Sequence, residues 1–193
     1  MAEVLLFHHA QGLTVGVSAF AARLRSGGHV VHTPDLYEGR TFASLNEGVK
    51  FAKQVGFDEI RDRGRAAAER LPKKLVYAGF SLGVLPAQFL AQTRSGAAGA
   101  LFISAAFPPS EFGGPWPPGV PVEIHMMESD PWVMEGDLAA AREIERSVEG
   151  ARLFVYPGDR HLFADSSLAD HDQEAAGLLL DRAQAFLGSV GRT

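Results

Sequence analysis

Residues 75–83 read Leu75-Val-Tyr-Ala-Gly-Phe-Ser-Leu-Gly83, and this stretch decides the fold. Apolar, β-prone residues run into Gly79-Phe-Ser-Leu-Gly83, and a segment with helical spacing follows. The G-x-S-x-G pattern is typical of a sharp strand-to-helix turn that holds a serine on strained backbone. It also occurs as a plain turn between glycines, and the chain has 21 of them. The pattern makes Ser81 a candidate nucleophile, provided that the sequence also supplies an acid and a base.

Apolar runs and amphipathic segments alternate along the chain. Predicted strands are Val4–His8, Val30–Thr33, Lys74–Ala78, Ala100–Ser104, Val122–Met126 and Leu153–Tyr156. Predicted helices are Val17–Ser26, Asp58–Leu71, Val84–Arg94, Glu135–Ser147 and Asp172–Leu187. This alternation predicts one α/β domain over residues 1–193, with a mostly parallel, twisted sheet covered by helices on both faces.

Two segments lack a clear pattern. Thr41 to Phe57 is a weakly patterned insert after the second predicted strand. Phe107 to Pro121 is rich in proline and glycine, which favours a rigid crossover loop over a lid. Trp116, in the middle of this loop, either touches a ligand or anchors the loop on the core.

Composition excludes several classes of function. The 193 residues include no cysteine, so the chain has no disulfide framework and no thiolate metal site. A net charge of −5 argues against nucleic-acid and anionic-membrane partners. The residues Met1–Phe7 have no basic region, so we expect a first strand there and not a signal peptide. No apolar run approaches the ~20 residues of a membrane span. We expect a cytoplasmic monomer or homodimer that acts on a small molecule.

An acid and a base follow Ser81 in the chain. Asp130 comes after the strand Val122–Met126, and His161 comes after Leu153–Tyr156. The order Ser, Asp, His is that of the α/β-hydrolase triad, in which the histidine activates the serine and the carboxylate orients the imidazole. Rival acids are Glu128 and Asp159, and the rival base is His171.

The intermediate of acyl transfer needs two N–H donors for its oxyanion. The backbone of Leu82 is one candidate, and the loop His9–Gly12 after the first strand should supply the other. His8 and His9 also suggest a metal site. Adjacent histidines on a strand point to opposite faces, however, and no third ligand is clearly placed. We predict neither a metal nor a cofactor.

The chain resembles dienelactone hydrolase-like proteins, a compact branch of the α/β-hydrolases, over nearly its whole length. The matching residues are Gly12-Leu13, Pro34-Asp-Leu-Tyr37, Gly79–Gly83, His125 with Asp130, and Tyr156-Pro-Gly158 followed by His161 and Phe163. The resemblance implies a three-layer fold with a minimal cap and hydrolysis of small esters or lactones. It also implies a triad on Ser81, Asp130 and His161, with oxyanion donors at Ala10 and Leu82.

Three positions depart from this family. Its founding enzymes use a cysteine where this chain has Ser81, a glutamate where it has His9, and a substrate-gripping arginine where it has Asp165. An acidic Asp165 in the pocket would repel a carboxylate. We therefore expect a neutral or cationic acyl substrate and general esterase chemistry.

The sequence supports two hypotheses about function. The first is a serine hydrolase of small esters, lactones or thioesters, and the second is a non-catalytic binding or sensor protein on the same scaffold. The intact set of three groups favours the enzyme. Besides Trp116, the residues expected to bind the substrate are His9, Gln11, Phe80, Trp132, Phe163 and Asp165.

Overall fold

A computed structural model of the chain describes residues 1–133 and 136–192. Its six-stranded sheet has the order β2-β1-β3-β4-β5-β6, and all neighbouring strands are parallel. The strands are β1 Glu3–Phe7, β2 Val30–His32, β3 Val76–Phe80, β4 Gly99–Ile103, β5 Val122–Met127 and β6 Arg152–Tyr156. The predicted parallel α/β architecture is confirmed, since each predicted strand overlaps an observed one.

Six α-helices accompany these strands within the described ranges: five lie in the connections between strands, and the last follows β6. They are α1 Val15–Ser26, α2 Leu45–Val55, α3 Phe57–Glu69, α4 Val84–Thr93, α5 Asp137–Ser147 and α6 Gln173–Val190. None of the described helices is long and apolar enough to cross a membrane. The predicted start of α5 at Glu135 lies outside the described residues.

Helix α2 lies within Thr41–Phe57, a segment in which only a weak sequence pattern was found. The side chain of Ser44 caps this helix by accepting from the backbone N–H of Glu47. Serine followed three residues later by glutamate is a recognised start signal for a helix. The pattern Ser44-x-x-Glu47 therefore could have predicted α2.

The helices form layers on both faces of the sheet. Side chains alternate along β1, so that Leu5 and Phe7 pack with α2 to α5 while Val4 and Leu6 pack with α1 and α6. Each face buries its own apolar cluster. This three-layer arrangement leaves the carboxyl ends of the strands as the edge where side chains can meet a ligand.

The proline-rich loop after β4 is fastened to the core. The indole N–H of Trp116 donates to the carbonyl of Val120 at 2.7 Å, and its ring lies 6.0 Å from that of Phe102. A short 3-10 turn, Pro109–Phe112, adds local order. The crossover-loop interpretation therefore fits this segment, and Trp116 serves as its anchor.

Candidate active site

Ser81 lies at the sharp turn between β3 and α4. The strand ends at Phe80, and a 3-10 turn, Ser81–Gly83, leads directly into the helix. Ser81 has φ of 48°, in the left-handed region that side chains rarely adopt. Such strain concentrates at functional sites, where the surrounding structure holds it in place.

Two glycines make this turn possible. A Cβ built on Gly79 would lie 2.3 Å from the backbone of Gly83. A Cβ built on Gly83 would lie 2.5 Å from the carbonyl oxygen of Phe7 at the end of β1. Any larger residue at either position would push the turn away from its neighbours, so the pattern G-x-S-x-G is a steric requirement here.

Ser81, His161 and Asp130 form one continuous chain of hydrogen bonds. The Oγ of Ser81 lies 2.7 Å from Nε2 of His161, and Nδ1 of His161 lies 2.7 Å from Oδ2 of Asp130. Asp130 is fully buried, and its Oδ1 accepts from the backbone N–H of Trp132 at 2.9 Å. The carboxylate thus holds the proton on Nδ1 and leaves Nε2 free to accept from the serine.

The rival groups lie elsewhere. Glu128 and Asp159 are exposed. His171 points its Nδ1 at the carbonyl of Phe163, 3.1 Å away. The geometry therefore selects Asp130 and His161 as the partners of Ser81.

Ser104, at the end of β4, supports the base and was missed by the sequence analysis. Its hydroxyl donates to the carbonyl of His161 at 2.6 Å, and its own N–H donates to the carbonyl of His125 at 2.8 Å. Its φ of 60° is a second strained position next to the site. No motif marks this serine, and its position as the last residue of the predicted strand Ala100–Ser104 was the one available signal.

A cleft of about 200 Å³ opens at these residues. It is lined by Ser81, Leu82, Ser104, Ala105, Phe107, Trp132, Asp137 and His161. A larger groove of about 870 Å³ runs between residues 109–119 and the end of α5, and none of the three hydrogen-bonded groups reaches it. The small cleft is therefore the place where a reacting group would sit.

Asp137 places a carboxyl group in this cleft, a position that was not predicted from the sequence. Its Oδ1 accepts from the backbone N–H of Ala106 at 3.1 Å. Burial raises the pKa of this carboxyl group. Asp137 opens helix α5, where acidic residues are common for electrostatic reasons alone, so its position in the sequence gave no signal of a site.

The structure corrects the role expected for Asp165. Both Asp165 and His9 are buried, and Nε2 of His9 lies 2.8 Å from Oδ2 of Asp165. The other donors to this carboxylate are Ser167, through N–H and Oγ at 2.8 and 2.6 Å, and the hydroxyl of Thr14. Burial alone would raise the pKa of Asp165, but these hydrogen bonds outweigh it and lower the pKa to about 2. Neither side chain faces the cleft, so Asp165 does not repel a substrate there.

Three other residues predicted to bind the substrate lie in the protein interior. The amide of Gln11 donates to the carbonyl of Phe42 at 3.0 Å. Phe80 and Phe163 are at most 1% exposed and belong to the core on the α1 and α6 face. Phenylalanine is among the residues most often buried, and here both rings belong to the core.

Trp132 and Leu82 do lie at the cleft. Trp132 is 44% exposed, and its ring centre is 5.8 Å from that of His161. Leu82 follows Ser81 directly, as an oxyanion donor should. Ala10 is buried in the loop after β1. The carbonyl oxygens of Phe7 and His8, just before it in the chain, lie against the turn that carries Ser81, since a Cβ on Gly83 would come within 2.6 Å of each.

The described residues hold no candidate metal cluster. Within residues 1–133 and 136–192, no three histidine, cysteine or acidic side chains are grouped so that they could hold a metal ion. His8 and His9, which suggested a metal site, each use both ring nitrogens in hydrogen bonds within the protein.

Comparison with known proteins identifies the family. Residues 1–191 match the dienelactone hydrolase family, so the chain belongs to it. Membership in this family supports hydrolytic activity. None of the curated proteins compared with the chain matches it.

Solved structures share the fold at low sequence identity. A dienelactone hydrolase-like promiscuous phosphotriesterase from metagenomic libraries has 17% identity and a TM-score of 0.77, over 98% of this chain and 87% of its own. A candidate dienelactone hydrolase from Klebsiella pneumoniae has 16% identity and a TM-score of 0.72, over 97% and 87%. A zinc-bound, cold-adapted esterase from an Arctic intertidal metagenomic library has 16% identity and a TM-score of 0.62, over 96% and 82%. At these identities the likeness concerns the fold.

Proposed function

We propose that this protein is a serine hydrolase that cleaves small esters, lactones or thioesters through an acyl-enzyme. The observation that carries the proposal is the unbroken chain Ser81–His161–Asp130, with both contacts at 2.7 Å. Membership in a hydrolase family supports it. A pure binding protein has no need of a strained serine joined to a base and a buried acid.

Each group has a definite task in this proposal. Nε2 of His161 takes the proton of Ser81 as Oγ attacks the carbonyl carbon, and Asp130 stabilises the imidazolium that forms. The backbone N–H of Leu82, together with one from the loop after β1, receives the oxyanion. The imidazolium then protonates the leaving alcohol or thiol. Water, deprotonated by His161, releases the acid and restores Ser81.

The cleft restricts the substrate. Its volume of about 200 Å³ suits a small acyl group better than a polymer. Asp137 contributes a carboxyl group to the lining, whereas Asp165 is buried away from it. A carboxylate near the reacting carbonyl disfavours an anionic substrate by charge repulsion. We therefore assign the preference for neutral or cationic esters to Asp137.

A fluorophosphonate probe together with short p-nitrophenyl esters tests the proposal. Wild type should bind the probe covalently at Ser81 and hydrolyse the esters. Ser81→Ala and His161→Ala should lower kcat on the order of 10⁴-fold or more. The matched controls are Ser166→Ala and His171→Ala, which leave the three groups intact and should behave as wild type.

The same assay separates the enzyme from a non-catalytic binding or sensor protein. If wild type stays unlabelled and cleaves no ester, lactone or thioester in a panel, the hydrolase proposal is wrong and the binding function stands. If His161→Ala labels as fast as wild type, His161 is not the base.

A further inference from the structure

Two adjacent buried histidines, His8 and His9, take no part in the chain Ser81–His161–Asp130. Both are fully buried at the end of β1. A buried imidazole costs free energy unless its polar atoms are paired. The partners of these two rings therefore indicate what they do.

His8 holds the carbonyl group of His9. Nδ1 of His8 lies 2.7 Å from the carbonyl oxygen of His9, while its Nε2 accepts from the backbone N–H of Leu36 at 3.0 Å. The second contact fixes the proton on Nδ1, so His8 donates to His9. The N–H of Gly12 donates to the same carbonyl oxygen at 3.0 Å.

His9 holds the next peptide group. Its Nδ1 accepts from the N–H of Gln11 at 3.2 Å, and its Nε2 donates to Asp165. The carbonyl of Ala10, in the same peptide, packs against α2. A Cβ on Gly48 would lie 2.0 Å from that oxygen, so the helix backbone blocks any rotation of this group.

Both peptide groups that flank Ala10 are thus fixed, one by each histidine. The His9–Ala10 peptide is trans, so the N–H of Ala10 points away from the carbonyl that His8 and Gly12 hold. The loop packs on the turn that carries Ser81, since a Cβ on Gly83 would lie 2.6 Å from the carbonyl oxygen of His8. We infer that His8 and His9 are positioning residues that hold the N–H of Ala10 as the second oxyanion donor; this inference rests on the proposed function.

Histidine suits this task for a physical reason. A neutral imidazole offers one donor and one acceptor at opposite ends of a rigid ring, so that a single side chain can fasten two backbone groups. Burial lowers the pKa of His8 to about 4, which keeps the ring neutral near neutral pH. An oxyanion donor fixed before the reaction costs no reorganisation when charge develops.

Two variants of His8 test the inference, since each retains a different one of its two hydrogen bonds. In His8→Asn, the amide nitrogen replaces Nδ1 and keeps the hydrogen bond to His9. In His8→Gln, the longer side chain accepts from the N–H of Leu36 but no longer donates to the carbonyl of His9. We expect kcat/KM for a p-nitrophenyl ester to fall about 10- to 100-fold in His8→Gln, because the donor is misplaced and not removed. The loss should be clearly smaller in His8→Asn. His32→Asn, a histidine on β2 bonded to Glu3, is the matched control.

A transition-state analogue distinguishes positioning from general loss of structure. An aryl trifluoromethyl ketone forms a hemiketal oxyanion with the active serine, so its Ki reports the oxyanion donors. The Ki should rise in parallel with the loss of kcat/KM, while KM changes less than about threefold. Circular dichroism and thermal unfolding check that each variant is folded.

Three outcomes would overturn the inference while leaving the proposed function intact. They are equal activity of the two variants, a Ki that does not follow kcat/KM, and a loss that lies in KM alone. If wild type itself neither cleaves esters nor binds the ketone, the proposed function fails instead.

Discussion

Two histidine–aspartate pairs, His161–Asp130 and His9–Asp165, have nearly the same contact distance, 2.7 and 2.8 Å, and both are buried. They differ in the ring nitrogen that faces the carboxylate. Asp130 pairs with Nδ1 of His161 and leaves Nε2 to Ser81, whereas Asp165 pairs with Nε2 of His9 while Nδ1 accepts from the backbone. One ring nitrogen of His161 is available for proton transfer with Ser81, whereas both ring nitrogens of His9 are occupied by contacts that hold the loop.

The comparison shows that a residue pair does not define a site. Both carboxylates orient an imidazole, and both belong to the part of the chain that follows β5. The difference lies in what the remaining nitrogen meets: a strained serine at a cleft, or a backbone N–H inside a loop. Reactivity follows from that last contact.

The largest expected effect comes from removing the acid of the first pair. Asp130→Asn should lower kcat by 10³- to 10⁴-fold, because the amide favours the wrong tautomer of His161 and cannot stabilise the imidazolium. Asp165→Asn should lower kcat far less. Steady-state kinetics on one p-nitrophenyl ester compare the two variants directly, and similar losses would mean that the pairs are not functionally distinct.

Acid should weaken the loop beside the second pair. The pKa of His8 is about 4 in the folded protein and 6.5 when unfolded, so below pH 6.5 the unfolded chain binds the extra proton. As the pH falls from 6.5 to 4, protonation of this group in the unfolded chain therefore lowers the free energy of unfolding by about 3 kcal/mol. Denaturant unfolding at several pH values measures the loss. His8→Asn should remove that share of the pH dependence, and an unchanged curve would contradict the assignment.

The second pair should contribute to stability through the contacts of Asp165, besides holding His9 in place. Asp165→Asn leaves several donors facing an amide, and should lower the free energy of unfolding by about 2 kcal/mol. Urea denaturation at pH 7 measures this change. The matched control is Asp170→Asn, at an exposed position, which should shift it by less than about 0.5 kcal/mol. A loss of activity without any loss of stability would instead give Asp165 a role in the reaction.

The smallest effect concerns substrate charge. Asp137→Asn should lower the ratio of kcat/KM for 2-(trimethylammonio)ethyl acetate over its neutral isostere, 3,3-dimethylbutyl acetate, by about fivefold, since a half-buried charge is partly screened. Replacing the buried Asp165 by asparagine should leave this ratio of kcat/KM values unchanged. If Asp165→Asn changes the ratio and Asp137→Asn does not, the assignment of the cleft carboxyl group is wrong.

The sequence predicted those features that follow from hydrophobic patterning and from the topology of parallel sheets. The parallel sheet followed from alternating apolar runs and helices, and the strand ends brought Ser81, Asp130 and His161 to one edge. The order of the three residues carried more information than any one of them.

Other features depended on side-chain direction, which sequence spacing does not encode. Asp165 follows His161 by four residues, yet its side chain turns inward to His9 and not to the cleft. Ser104 and Asp137 reach the cleft from the end of β4 and the start of α5, where no motif marks them. The same limit explains why Phe80 and Phe163 were assigned to the pocket although they lie in the core.

The contact between His9 and Asp165 also bears on how the molecule assembles. It joins positions 156 residues apart in the chain, so its formation closes a very long loop. Closing such a loop costs entropy before any contact is gained, so we expect this contact to form late in folding. The loop around Ala10 therefore takes its final shape only after the C-terminal part of the chain has docked. A chain that stops short of residue 165 would lack the carboxylate that holds His9, and with it one of the contacts that fix the loop around Ala10.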